Sequence, residues 1–238
     1  MKKTAVTSAH TQPPASKKAD PVSNPRQRRQ EALADVRREL VLDAARSAFL
    51  ELGIERASMR EIARRAGYTP GAIYSYFPNK EALYGILLGE SLERLKQRTH
   101  AALNKNASPA EQARTSATAF FMFYKENPRD LDLGFYLFQG MQPRGLTPEL
   151  NNALNQSLRL SLQPTQAALQ QLGMPDRDAL KEITALFAHA VGLLLLSHTG
   201  RIRMFHQDPR VLFDSYVDEM ILRAGRAPAR RNEADGQN

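Results

Sequence analysis

A helix-capping side chain followed directly by proline recurs along this chain, at Thr69-Pro70, Ser108-Pro109, Thr147-Pro148 and Asp208-Pro209. In each pair the first side chain can accept from the exposed N–H groups of a first helical turn. Proline suits the next position, where no donor is needed. Ser108 adds Glu111 three residues on, the pattern of a capping box. Stop signals stand at Leu52-Gly53, Asn127-Pro128, Leu172-Gly173, Thr199-Gly200 and Ala224-Gly225. Apolar residues between these signals recur with a helical period, and strand-like alternation never lasts beyond a few residues. The chain is therefore expected to be all-α, with helices near 36–52, 58–66, 69–76, 79–105, 109–126, 129–140, 148–172, 176–198 and 209–224. Pro164 should kink or split the seventh.

Composition narrows the function classes. With no cysteine in 238 residues, a disulfide scaffold, a thiolate metal site and a Cys nucleophile are excluded. Lys2 and Lys3 are not followed by the apolar stretch of a secretory signal. The most apolar run, residues 185–196, is shorter than the roughly 20 residues of a bilayer span and reads as a core helix, so a cytoplasmic protein is expected. His189, His198 and His206 lack the spacing that puts two ligands on one helical face, so no metal is expected. No nucleophile triad, P-loop, dinucleotide fingerprint or suggestive carboxylate pair is present, so neither an enzyme nor a cofactor is expected.

The net charge of +8 sits at the ends. Residues 1–30 carry seven basic side chains against Asp20 alone, whereas residues 31–85 hold eight of each sign. Residues 86–222 also balance, and residues 223–238 carry four Arg against Glu233 and Asp235. Residues 1–34, poor in large apolar side chains, read as a disordered basic arm, and 226–238 as a disordered tail. Such an arm would add salt-dependent, sequence-independent affinity for a polyanion.

The first three helices have the most informative spacing. Val41, Ala45, Ala48, Phe49 and Leu52 share one face of the first. Ser58 with Glu61 opens the second, whose inner face carries Ile62, Ala63 and Ala66. Gly67 makes the turn, and Thr69-Pro70 starts a third helix with Ile73 and Phe77 inward. This is a helix-turn-helix plan, spanning about 58–77, in which the second helix of the pair enters a DNA major groove. Thr69, Gly71, Tyr74, Ser75 and Tyr76 then face outward, offering hydroxyls and small groups to base edges and phosphates. Ser58 and Lys80 stand at helix N-termini, which favour phosphate. Because the segment is formally neutral, affinity must come from a few placed groups such as Arg60, Arg64 and Lys80. Arg64 and Arg65 are open to two readings, phosphate contacts or a solvated face.

Residues 38–83, RELVLDAARSAFLELGIERASMREIARRAGYTPGAIYSYFPNKEAL, resemble the DNA-binding domain of the TetR family of bacterial repressors. The resemblance covers about a fifth of the chain without a gap. It implies a homodimer on a palindromic operator and a C-terminal helical domain that holds a small inducer. It also implies that Ser58, Thr69, Gly71, Tyr74, Ser75, Tyr76 and Lys80 fall where the family contacts DNA. Tyr68 and Tyr76 depart from the residues common there, so the operator sequence does not transfer.

The domains expected are the DNA-binding unit at 35–95 and a ligand-binding and dimerisation unit at 96–225. In the latter, Phe121, Tyr124, Tyr136, Phe138, Gln139, Thr184 and His189 are candidate ligand contacts, since an apolar cavity needs a few orienting polar groups. For His189 the competing reading is a hydrogen-bonded core histidine. Val191, Leu194, Leu195, Phe213, Tyr216, Val217 and Met220 are candidates for a four-helix dimer interface. The function expected is a transcriptional regulator, a repressor released by an apolar or amphipathic inducer. The alternative is an architectural or partner-regulated DNA-binding protein with no inducer, whose body would be filled by side chains.

Overall fold

The computed structural model describes residues 24–135 and 146–226. Regular structure among them is entirely helical: α1 Pro25–Arg56, α2 Met59–Ala66, α3 Pro70–Tyr74, α4 Lys80–Ala101, α5 Pro109–Glu126, α6 Pro128–Phe135, α7 Pro148–Gln171, α8 Asp176–His198, a short 3-10 helix Arg201–Phe205, and α9 Pro209–Arg226. The caps act as the sequence requires. Ser58, Thr69, Asn79, Ser108 and Thr147 each accept from the amide three residues ahead. Asp208 accepts from the amides of Arg210 and Val211 at 2.7 and 3.1 Å.

Two expectations need correction. The first helix opens at Pro25, well inside the segment read as disordered. Asn24-Pro25 is a further cap–proline pair, with Arg26 N donating to Asn24 Oδ1 at 3.1 Å. The Arg, Gln, Glu and Ala residues that follow are strong helix formers even without an apolar face. The rest of the expected arm, and the expected tail beyond Arg226, lie outside the described residues. The second correction concerns Pro164, through which α7 runs as one helix. Proline deprives the Leu160 carbonyl of its helical donor. His100 Nε2 on α4 stands 3.3 Å from that carbonyl and, as the partner of an acceptor, donates to it.

The core is one hydrophobic cluster. Val41, Leu42, Ala45 and Ala48 of α1 enter it with Ile62 and Ala63 of α2, followed by Ile73 and Phe77. Gly53, at φ 75° and ψ 162°, ends the regular part of α1 where the stop signal predicts. In the body, α4, α5 and α7 pack on one another, and α8 and α9 pack on each other and on α5 and α7. At Gly85 of α4 a Cβ would lie 2.6 Å from Leu150 Cδ2 of α7. Ser116 and Thr165 share a buried hydrogen bond of 2.8 Å between α5 and α7.

Helix α8, whose most apolar 18-residue window has a mean hydropathy of 1.7, is long and apolar enough to cross a membrane by length and composition. It instead buries Ile183, Leu186, Ala190, Leu193 and Leu194 in the bundle and turns Ala185, Ala188 and Gly192 outward. The residues of the expected dimer face divide by burial within the protomer. Leu194, Phe213, Val217 and Met220 are all 1% exposed or less and have no surface to offer a partner. Val191 and Tyr216 are half-buried, and only Leu195 of that set is exposed.

Candidate nucleic-acid interface

The α2–α3 pair is built from local rules and then locked to α1. Ser58 Oγ accepts from Glu61 N at 3.2 Å, but the Glu61 carboxylate does not complete a capping box. It turns instead to Arg64, at 2.7 and 3.0 Å, and to Arg65, at 2.7 Å. Arg65 continues to Ser47 Oγ at 2.9 Å and Glu51 at 2.8 Å, tying α2 to α1. Hydrogen bonds from the two guanidinium groups hold the Glu61 carboxyl down at about 2, and the carboxylates raise Arg65 in return. Arg65 is thereby a structural cation, while Arg64 keeps 73% of its side chain in solvent. Among the described residues, exposed Arg60 has no ion-pair partner.

Gly67 ends α2 in the left-handed region, at φ 75° and ψ 25°, which disfavours a side chain. Its N–H reaches Arg64 O at 3.3 Å and Tyr68 N reaches Ala63 O at 2.9 Å, a Schellman closure that sets the turn. Thr69 Oγ1 then caps α3, accepting from Ala72 N at 3.3 Å. Regular helix stops at Tyr74, two residues short of expectation, although Tyr76 N and Phe77 N still bond Ile73 O at 3.0 and 2.9 Å.

The facing of α3 agrees with its pattern. Ile73 and Phe77 are 1% exposed, while Tyr74 is 54% and Tyr76 37% exposed. Thr69, Gly71 and Ser75 are exposed beside them, with Ser75 Oγ donating to Ala72 O at 2.7 Å. Gly71 is informative because a Cβ there would meet nothing within 4 Å. Among the described residues, neither packing nor a positive φ demands its glycine. Lys80 differs from expectation: Nζ donates to Ile54 O at 2.7 Å and Glu55 O at 2.9 Å, capping the end of α1. That bond spans 26 residues of sequence and has no local signature.

Among the hollows of the described residues, two adjoin each other in the body. One, of about 370 Å³, lies among α4, α5, α6 and α7 and is lined by Leu88, Leu92, Tyr124, Phe135 and Leu154. The other, of about 230 Å³, lies between α7 and α8, with Leu162, Ile183, Thr184 and Phe187 in its wall and Arg159 beside them. Asn155 and Leu158 line both.

Of the expected ligand contacts, Tyr124 and Thr184 border these hollows. Burial raises the Tyr124 phenol well above its ordinary value, so it stands as a neutral donor. Phe121 does not belong to the lining; fully buried, it stacks on Phe213 at 4.3 Å and joins α5 to α9. His189 stacks on Tyr216 at 4.4 Å, its Nε2 buried without a partner, and burial lowers its pKa. Tyr136, Phe138 and Gln139 lie outside the described residues. The α7 lining, Asn151, Leu154, Asn155 and Leu158, went unmarked, although its i, i+3, i+4 and i+7 spacing was available to find it.

Comparison with known proteins agrees with this geometry. Residues 41–85 match the family model described as bacterial regulatory proteins, tetR family. The HTH-type transcriptional activator FasR of Mycolicibacterium smegmatis is 32% identical over 101 residues, 42% of this chain and 46% of that protein. The chain spans about half or less of the length of the curated relatives it matches. Two solved structures share the fold. A tetR-family regulatory protein from Rhodococcus RHA1 superposes with a TM-score of 0.63 at 20% identity, over 79% of this chain and 97% of that one. FadR from Bacillus subtilis, in complex with stearoyl-CoA, gives 0.58 at 20% identity, over 77% and 97%. Residues 41–85 thus carry the helix-turn-helix domain that defines the tetR family of bacterial regulatory proteins.

Proposed function

We propose that this protein is a cytoplasmic, sequence-specific DNA-binding transcriptional regulator, a homodimeric repressor released from a palindromic operator by an apolar or amphipathic small molecule. The observation that carries the reading is the outward face of α3. Tyr74, Ser75 and Tyr76 present hydroxyls to solvent beside Thr69, and Gly71 leaves open space at the N-terminal end, where a recognition helix meets base edges. A glycine that nothing among the described residues requires leaves room for the close approach of another molecule. Exposed Arg60, Arg64 and Ser58, with the first-turn amides of α4 at Lys80, supply phosphate contacts around it.

The test is selection from a random duplex library followed by mobility shift. A palindrome should be enriched, and Tyr74→Ala should weaken binding to it by about tenfold or more at an unchanged melting temperature, as loss of a charge-assisted hydrogen bond requires. If no duplex is enriched, the reading fails.

The hollows favour small-molecule control over the inducer-free alternative, because a body filled by its own side chains would leave none. Their apolar walls, with Arg159 at the edge, suit an amphipathic anion. FadR of Bacillus subtilis, which shares the fold, carries stearoyl-CoA in its complex. The dimer face is assigned to the outward side of α8, Ala185, Ala188, Gly192 and Leu195, with Val211 and Leu222 of α9 beside it. Small residues there let two helices approach closely, and the apolar side chains need cover.

A further inference from the structure

We propose that the hydrogen bond between Tyr84 and Leu133 is the latch that couples filling of the α4–α7 hollow to the DNA-binding helices. The proposal rests on the reading of the chain as a ligand-controlled DNA-binding protein and assigns the residues through which the control passes.

Three contacts define the path. Tyr84, near the start of α4 and 1% exposed, donates its hydroxyl proton to the Leu133 carbonyl of α6 at 2.5 Å. The next residue, Gly134, lines the larger hollow together with Phe135. On the other side the Tyr84 ring meets Phe49 of α1 edge to face, with centroids 6.2 Å apart. Phe49 lies one residue beyond Ala48, and both belong to the buried cluster that holds Ile62 and Ala63 of α2 and Ile73 of α3.

The link is short and stiff. The Leu133 carbonyl and the Gly134 nitrogen and Cα share one planar peptide group. A molecule that displaces Gly134 must therefore swing the carbonyl that Tyr84 holds. Gly134 faces the wall of the hollow: a Cβ on it would sit in ordinary contact, 3.9 Å from Leu88 Cδ1 and 4.0 Å from the Tyr124 hydroxyl. A buried hydroxyl that loses its acceptor is unfavourable, so Tyr84 follows the carbonyl and carries Phe49 with it. Filling the hollow then shifts the population of head orientations without any contact between ligand and DNA.

A double-mutant cycle tests this without knowledge of the natural ligand. Leu158→Trp and, separately, Leu154→Phe add bulk to the hollow as built-in occupants, and Tyr84→Phe removes the latch while keeping the ring against Phe49. Operator affinity is measured on the duplex selected above, with circular dichroism and melting curves to verify folding. In the wild-type background at least one filling substitution should weaken operator binding by about tenfold, within the usual range of coupling between sites. In the Tyr84→Phe background the same substitution should change affinity by less than about twofold. Equal losses in the two backgrounds would overturn the latch, as would two folded filling variants that leave wild-type affinity untouched. Failure of the wild-type protein to select any duplex would instead bring down the DNA-binding reading, a separate and recognisable outcome.

Discussion

Glu61 holds two guanidinium groups at once, and this makes the head sensitive to acid. In the unfolded chain its carboxyl titrates near the ordinary 4.5, and in the folded protein at about 2. Above the first value both states are ionised and the stabilisation is complete. As the pH falls from there towards 2, the unfolded chain takes up the proton first, so stability is lost across that window. Glu61→Gln should therefore lower the melting temperature at pH 7 and flatten the decline between pH 5 and pH 2, read by thermal denaturation across a pH series. Parallel acid limbs in the two proteins would refute the assignment. At this scale the sequence was readable wherever a residue acts on its near neighbours: Ser58 and Thr69 as caps, Gly67 as turn, Ile73 and Phe77 as inward anchors. It was silent on Arg65 reaching Glu51 and Lys80 reaching Ile54, because those partners meet only once the helices are packed.

Helix α7 carries a proline at a point where a local rule predicts a break, and tertiary structure supplies what the proline removes. The donation of His100 to Leu160 O compensates the missing amide, so the two residues should be coupled energetically. His100→Ala is expected to lower stability by about 0.5–1 kcal/mol, since Leu160 is partly exposed and water can replace the lost donor. In a Pro164→Ala background, where the helix regains its own donor, the same change should have a smaller effect. Chemical denaturation of the four proteins measures the difference, and full additivity would rule the coupling out. Helix boundaries elsewhere followed their caps closely, because a cap and its amide lie within one turn. The start of α1 was missed for a related reason: lack of an apolar face was weighed above the propensity of Arg, Gln, Glu and Ala.

For the whole molecule, burial separates the side chains that hold the protomer from those open to a second copy. Phe213 and Val217 are at or below 1% exposure, whereas Leu195 is 36% exposed on the same pair of helices as Ala188 and Gly192. Leu195→Asp should yield a folded monomer with sharply reduced operator affinity, while Val217→Asp should fail to fold, because it buries an unpaired charge. Light scattering after gel filtration distinguishes the two, and a Leu195→Asp protein that remains dimeric would move the interface elsewhere. Sequence periodicity indicated that α8 and α9 are apolar on more than one side. Which side turns inward depends on α5 and α7, and only the packed bundle reveals it.

The close meeting of Gly85 with Leu150 bears on how such a protein can be recombined. A Cβ at position 85 would lie 2.6 Å from Cδ2 of Leu150 on α7, so that leucine would have to turn aside and the two positions form a matched pair between α4 and α7. A chimaeric sensor with its seam beyond Gly89, where a Cβ would meet nothing within 4 Å, parts the pair, and the incoming α7 should then carry leucine or a smaller residue at position 150. Cut upstream of Gly85, positions 85 and 150 would both come from the foreign chain and stay matched to each other.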